Sequence, residues 1–151
     1  MIRMTKLADY GIVLLTHMAM GSEGSLHTAQ GLSSRSHVPL PTASKLLKSL
    51  ARAGLVVSHR GRNGGYGLAR EADRISVAEI IAAIEGPIGI TECGTGAVGN
   101  CYLEEVCAAK GRWGPISRAI ERALQDVPLS AMRPEPAAGL VHLAVPGGVT
   151  P

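Results

Sequence analysis

The sequence predicts a mainly α-helical chain carrying one small β-hairpin, and three observations predict it. Apolar residues recur at three- and four-residue steps in several separate stretches, which is the period of one helix face. That period gives way once, between residues 55 and 69, to two short extended runs around a Gly-rich turn. Aromatic residues make up only 3% of the chain and Phe is absent, so the core has to be assembled from Ala, Val, Ile, Leu and Met.

The first helix is expected over residues 4–20, where Leu7, Tyr10 or Gly11, Leu14 and Met18 share a face. Residues 21–25, Gly-Ser-Glu-Gly-Ser, form a turn. A short second helix follows over 27–34, with Thr28, Ala29, Gly31, Ser33 and Ser34 small enough for close packing, and 36–39 is a connecting turn. The third helix opens near Pro41-Thr42, since a proline in the first helical turn forfeits no hydrogen bond, and ends at Gly54. Its core face is Ala43, Leu46, Leu47 and Leu50, which leaves Ser44, Lys45 and Lys48 on other faces. Residues 55–59 and 66–69 are the two strands, and 60–65 the turn. Ser76 and Glu79 stand at capping-box spacing ahead of a helix that carries Ile80, Ile81 and Ile84 and stops at Gly86-Pro87.

A Gly- and Thr-rich loop with every cysteine of the chain comes next, and Pro115 opens a last helix. Trp113, Ile116, Ile120, Leu124 and Val127 form an apolar stripe on it, which suits either a long dimerisation helix or packing back on the same domain. From Pro134 onward periodicity fails and Pro and Gly dominate, so a disordered tail is expected, with 140–145 as one candidate strand. The resulting division is 1–86 for the helical domain with its hairpin, 87–110 for the cysteine loop, 111–130 for the dimerisation helix and 131–151 for the tail. No apolar run approaches the roughly 18 residues that span a bilayer, and the first residues lack a signal-peptide core, so a cytoplasmic location is expected.

Net charge is only +3, but it is unevenly spread. Residues 1–70 hold nine Lys/Arg against Asp9 and Glu23, whereas 71–151 hold six against ten acids. A basic first half suggests a polyanionic partner, the alternative being a solvated face that meets nothing. The order of elements decides between them. Helix, short helix, turn, helix and basic hairpin is a winged helix-turn-helix, which lays its second motif helix in the DNA major groove. Here that helix offers Pro41, Thr42, Ser44, Lys45 and Lys48. The hairpin tip carries Arg60 and Arg62, and a weakly hydrated guanidinium suits the negative potential of a narrow minor groove. Arg35 is placed to brace the DNA backbone.

Cys93, Cys101 and Cys107 fall within fifteen residues. Three thiols cannot all pair internally, and none forms the Cys-x-x-Cys knuckle usual in structural zinc sites. Thiolates along a Gly-rich loop suit a soft polynuclear iron centre; three ordinary reduced thiols are the alternative. A cysteine-dependent redox enzyme lacks any acid–base pair or phosphate loop that can be placed. An electron carrier would have no use for the basic hairpin.

Taken together, several segments resemble the Rrf-two family of bacterial transcriptional regulators. They are Lys6-Leu7-Ala8-Asp9-Tyr10-Gly11, the stretch from Leu50 to Val56, the hairpin from Arg60 to Arg70, the stretch from Ile75 to Ile81 with Glu85-Gly86-Pro87, and the three cysteines, covering roughly residues 1–130. Pro39-Leu40-Pro41-Thr42 and Gly111-Arg112-Trp113 are similar to the branch that regulates the SUF iron–sulfur assembly operon. The resemblance implies a homodimeric repressor of those genes that binds an operator in double-stranded DNA. It implies an iron–sulfur cluster, [2Fe-2S] or [4Fe-4S] with the smaller preferred, held by Cys93, Cys101 and Cys107. A nitric-oxide or redox-sensing repressor would use the same scaffold. The chain departs from the pattern in a seven-residue first gap where five is commoner, and in Lys110 where some members place a ligating His. Asp9 matches the acidic first-helix ligand of other members and is the expected fourth ligand, from its own or the partner subunit, ahead of Glu104 and Glu105.

Overall fold

The computed structural model describes residues 3–91, 101, 103 and 106–134; Cys93, Glu104, Glu105 and the tail beyond Pro134 lie outside them. The described residues form five α-helices and a two-stranded antiparallel hairpin in the order α1 (Lys6–Ala19), α2 (Ala29–Ser36), α3 (Leu40–Arg52), β1 (Val56–His59), β2 (Gly65–Leu68), α4 (Val77–Glu85) and α5 (Trp113–Gln125).

Helix α1 starts one residue after Thr5, whose hydroxyl accepts from the Ala8 N–H at 3.2 Å. Its buried face is Ala8, Gly11, Ile12, Leu14, Leu15, Met18 and Ala19. Leu7, expected on that face, is 42% exposed, because the helix turns its first apolar residue away from the core. Gly11 is required by the crossing with α4. A Cβ there would lie 2.1 Å from Ile84 Cδ1, so the bare backbone admits the Ile84 side chain.

Helix α2 is capped by Thr28, which accepts from Gly31 N at 3.0 Å, and buries only Leu32. It ends at His37, held at φ 58, a left-handed conformation that no glycine announces in the sequence. The Ser33 and Ser36 hydroxyls donate to the Val38 and Leu32 carbonyls, both at 2.7 Å, and fix the turn that aims α3. Helix α3 buries Ala43, Leu46, Leu47 and Leu50, the four residues its periodicity singles out.

In the hairpin Val56 pairs with Leu68 and Ser58 with Tyr66. The turn depends on Gly64, where a Cβ would fall 2.3 Å from the His59 carbonyl oxygen. His27 extends the sheet at one point by exchanging two 2.8 Å backbone hydrogen bonds with Tyr66. Helix α4 opens with the expected capping box: Ser76 Oγ accepts from Glu79 N at 3.2 Å and the Glu79 carboxylate accepts from Ser76 N at 2.8 Å.

Helix α5 ends at Gln125, earlier than the expected helix to residue 130. Pro128 explains the stop, since its ring disfavours helical geometry in the residue before it and it has no N–H to donate. The chain then returns to the domain. Val77 N donates to the Val127 carbonyl at 2.9 Å and Leu129 N to the Ile75 carbonyl at 2.7 Å. Leu129 is fully buried in a short 3-10 turn, Leu129–Met132. The aliphatic core therefore joins α1–α4 to a segment from far along the chain, with Leu124 and Val127 packed at its edge.

Candidate functional site

One candidate surface is built by α3 and the hairpin. Pro41, in the first turn of α3, is exposed, Thr42 and Ser44 are half-buried, and Lys45 and Lys48 are exposed. Their spacing puts them off the Leu46–Leu47–Leu50 face, so the packing that anchors the helix also turns these side chains outward. Arg60 and Arg62 are exposed at the hairpin tip, where Gly61 takes φ 116. None of Lys45, Lys48, Arg60 and Arg62 meets a carboxylate among the described residues. The ion pairs that do form there, Arg70–Glu79 at 2.6 Å and Arg74–Glu71 at 3.7 Å, lie beyond the hairpin. Burial raises the Glu79 carboxyl, but hydrogen bonds from Ser76 and Arg70 outweigh it and hold the group below its ordinary 4.5.

Arg35 is exposed on α2, and its Nη2 donates to His27 Nδ1 at 2.9 Å, which orients the guanidinium. A guanidinium only donates, so this bond makes Nδ1 an acceptor and leaves the imidazole proton on Nε2, 3.0 Å from Ser25 Oγ. Burial first and the Arg35 charge second hold His27 below its ordinary 6.5, against a hydrogen bond with the Met18 backbone. His27 thereby ties α2 through its ring, and the hairpin through its backbone, to the loop that follows α1.

The second candidate region is the cysteine loop. It leaves α4 at Gly86 and is docked on α5 where Ile90 N donates to the buried Ser117 hydroxyl at 3.3 Å. Cys101 and Cys107 are free and half-buried, and Lys110 is exposed. Asp9 is exposed in the first turn of α1. Among the described residues no three His, Cys, Asp or Glu side chains converge on a common point, so Asp9 and the two described cysteines are not brought together within one chain. The donor chemistry nonetheless suits iron, since thiolates are its preferred protein ligands in clusters.

Two residues of the surface lie outside the set expected from the sequence. Arg52 stands one helical turn beyond Lys48, at a spacing that places both on one face of α3, and that signal was present. The place of Tyr66 on this surface is not legible in the sequence, because only the strand register sets it opposite Ser58. With Lys48, Ala51, Arg52 and Ser58 it lines a cleft of about 470 Å³ between α3 and the hairpin.

The model of the Rrf2 (Rrf-two) family, described as iron-dependent transcriptional regulator, matches residues 4–134. The HTH-type transcriptional regulator IscR of Cereibacter sphaeroides is 34% identical over 136 residues, covering 85% of this chain and 88% of that protein. Among solved structures, CymR, the global cysteine regulator of B. subtilis, superposes with a TM-score of 0.67 at 26% identity, covering 87% of this chain and 96% of that one. The IscR of T. potens gives 0.65 at 26% identity, covering 87% and 85%. No helix among the described residues is long and apolar enough to cross a membrane.

Proposed function

The chain belongs to the Rrf2 family of transcriptional regulators, and from that premise we propose that it is a cytoplasmic, homodimeric repressor of iron–sulfur assembly genes of the SUF type, governed by a cluster on its cysteine loop. The observation that carries the DNA-binding part is the unpaired basic set on one helix and one wing. Lys45, Lys48, Arg60 and Arg62 are exposed, and no carboxylate among the described residues engages them. In the complex α3 enters the major groove with Thr42, Ser44 and Lys45 toward base edges and phosphates, while Arg60 and Arg62 reach the adjacent minor groove.

For the cluster, the support is the cysteine set itself and the iron-dependence in the family's description. Cys93, Cys101 and Cys107 would hold it, and Asp9 of the same or the partner subunit would complete the set. When bound, such a centre supplies redox chemistry and sensitivity to oxidants and nitric oxide. The chain's own part is mechanical. The loop is held to α5 by Ser117 and follows directly from α4, and α4 packs against α1 and α3, so a change in the loop has a packed route to the reading helix. Dimerisation is supported by α5, where Ile116 is 45% exposed while Trp113 and Ile120 are half-buried.

Anaerobic purification tests the proposal. It predicts a brown protein with visible absorbance, iron and sulfide in matching amounts, and bleaching by Cys101→Ala. A colourless protein that binds one zinc per chain would remove the cluster from the account. A nitric-oxide or redox sensor on the same scaffold would show the same colour, and the response of DNA affinity to nitric oxide separates the two.

A further inference from the structure

The cleft between α3 and the hairpin lies within the basic surface, but of its lining only Lys48 belongs to the expected DNA-binding set. It is about 470 Å³ in volume, and Lys48 and Arg52 line it from the helix, Ser58 and Tyr66 from the strands. Every polar side chain there can donate a hydrogen bond, two of them carry positive charge, and no carboxylate lines it. Among the described residues, hydrogen bonds leave these donors largely unused. Arg52 Nε reaches the Lys48 carbonyl at 3.4 Å, and no bond engages the Lys48 ammonium, the Ser58 hydroxyl or the Tyr66 phenol. The Tyr66 ring packs at the edge of the core, which fixes the residue at the cleft wall.

The position of the cleft gives these donors a partner. In a duplex one sugar–phosphate strand separates each major groove from the neighbouring minor groove. A protein with α3 in the one and the hairpin tip in the other must straddle that strand, and the strand runs through the gap between the two elements. We infer that this cleft is a phosphodiester clamp, in which Lys48, Arg52, Ser58 and Tyr66 hold one phosphate of the strand dividing the two grooves. The inference rests on the DNA-binding reading above and adds a site to it. The clamp fixes the register of α3 against the hairpin on the duplex, and it contributes affinity that does not depend on base sequence.

The probe is a duplex selected by the protein from a randomised pool, with binding followed by fluorescence anisotropy across a salt series. Removing one phosphate contact flattens the logarithmic salt slope by about 0.9 and costs about fivefold in affinity at physiological salt. Arg52→Gln is expected to do this equally for selected and scrambled duplexes. Tyr66→Phe keeps the ring in its packing and removes only the donor, so it is expected to weaken binding about threefold to tenfold at an unchanged slope. Methylphosphonates placed singly along the selected duplex locate the contact. One position per half-site is expected to weaken the wild type about fivefold and to weaken Arg52→Gln by clearly less, since Lys48 still meets that phosphate in the variant. The clamp is overturned if Arg52→Gln and the wild type lose equally at every position, or if inorganic phosphate at matched ionic strength competes while no single methylphosphonate matters. A wild-type protein that fails to bind any duplex overturns the DNA-binding reading itself. Thermal melts of both variants show whether the fold is retained, and Tyr66→Phe, which deletes a single oxygen, keeps the test open should Arg52→Gln lose stability.

Discussion

The winged helix and the cysteine loop differ in what they need from outside the chain. The winged helix closes its own core with aliphatic residues of α1–α4 and with Leu129, and its free groups are cations on an outer surface. The cysteine loop carries two half-buried thiols, and no set of three ligating side chains forms around them among the described residues. One region is a finished scaffold with an open basic face, and the other is a donor set that the proposed cluster would complete. Under the proposed function this asymmetry is what a regulator needs, because the part that reads would stay folded while the part that senses changes state.

The largest expected effect separates the two regions by stability. Leu129→Ala should cost about 3 kcal/mol, as for a fully buried leucine, and would show as a lower urea midpoint. Cys101→Ala in the cluster-free protein should change stability by less than about 0.5 kcal/mol. Equal losses would mean that the loop is part of the scaffold. Arg60→Ala comes next. It should weaken binding to a selected duplex about fivefold at physiological salt and flatten the salt slope by about 0.9, with no change in urea midpoint. Ser76→Ala, which removes the cap of α4, should cost about 1 kcal/mol in stability without touching the salt slope.

The smallest effect is a pH dependence. His27 in the folded protein lies below its ordinary 6.5, so the unfolded chain binds the proton more tightly. Its contribution is complete above about pH 6.5, and it is lost as pH falls from there toward the lowered folded value. Glu79 is also lowered, from 4.5, so its loss falls in a more acid window. Urea midpoints between about pH 7.5 and 5.5 should therefore fall for the wild type and fall less for His27→Gln. Identical slopes would contradict a lowered His27 in the folded protein.

The scaffold was far more legible in the sequence than the loop, for physical reasons. Helix α3 announces its buried face through Ala43, Leu46, Leu47 and Leu50 because a period of 3.6 needs only local spacing. The capping box at Ser76 is legible for the same reason. Features set by distant contacts were not. Leu7 follows the helical period yet faces outward, the left-handed His37 is held by serine bonds across the turn, and Leu129 enters a core whose last helix, α4, ends more than forty residues earlier. The sequence offers Arg35 as a brace for the DNA backbone, and only the fold reveals its bond to His27. The cysteine spacing names a donor set but not its geometry, because a coil carries no period from which positions can be projected.

Whether the loop governs the reading face, as the proposed function requires, is decided by DNA affinity in two cluster states. Binding to a selected duplex should be measured anaerobically for the cluster-loaded and cluster-free wild type, alongside Cys101→Ala. Affinity is expected to differ about tenfold or more between the two wild-type states, a coupling of about 1.4 kcal/mol, with Cys101→Ala fixed at the cluster-free value. Equal affinities in both states, with a cluster demonstrably present in one, would contradict it.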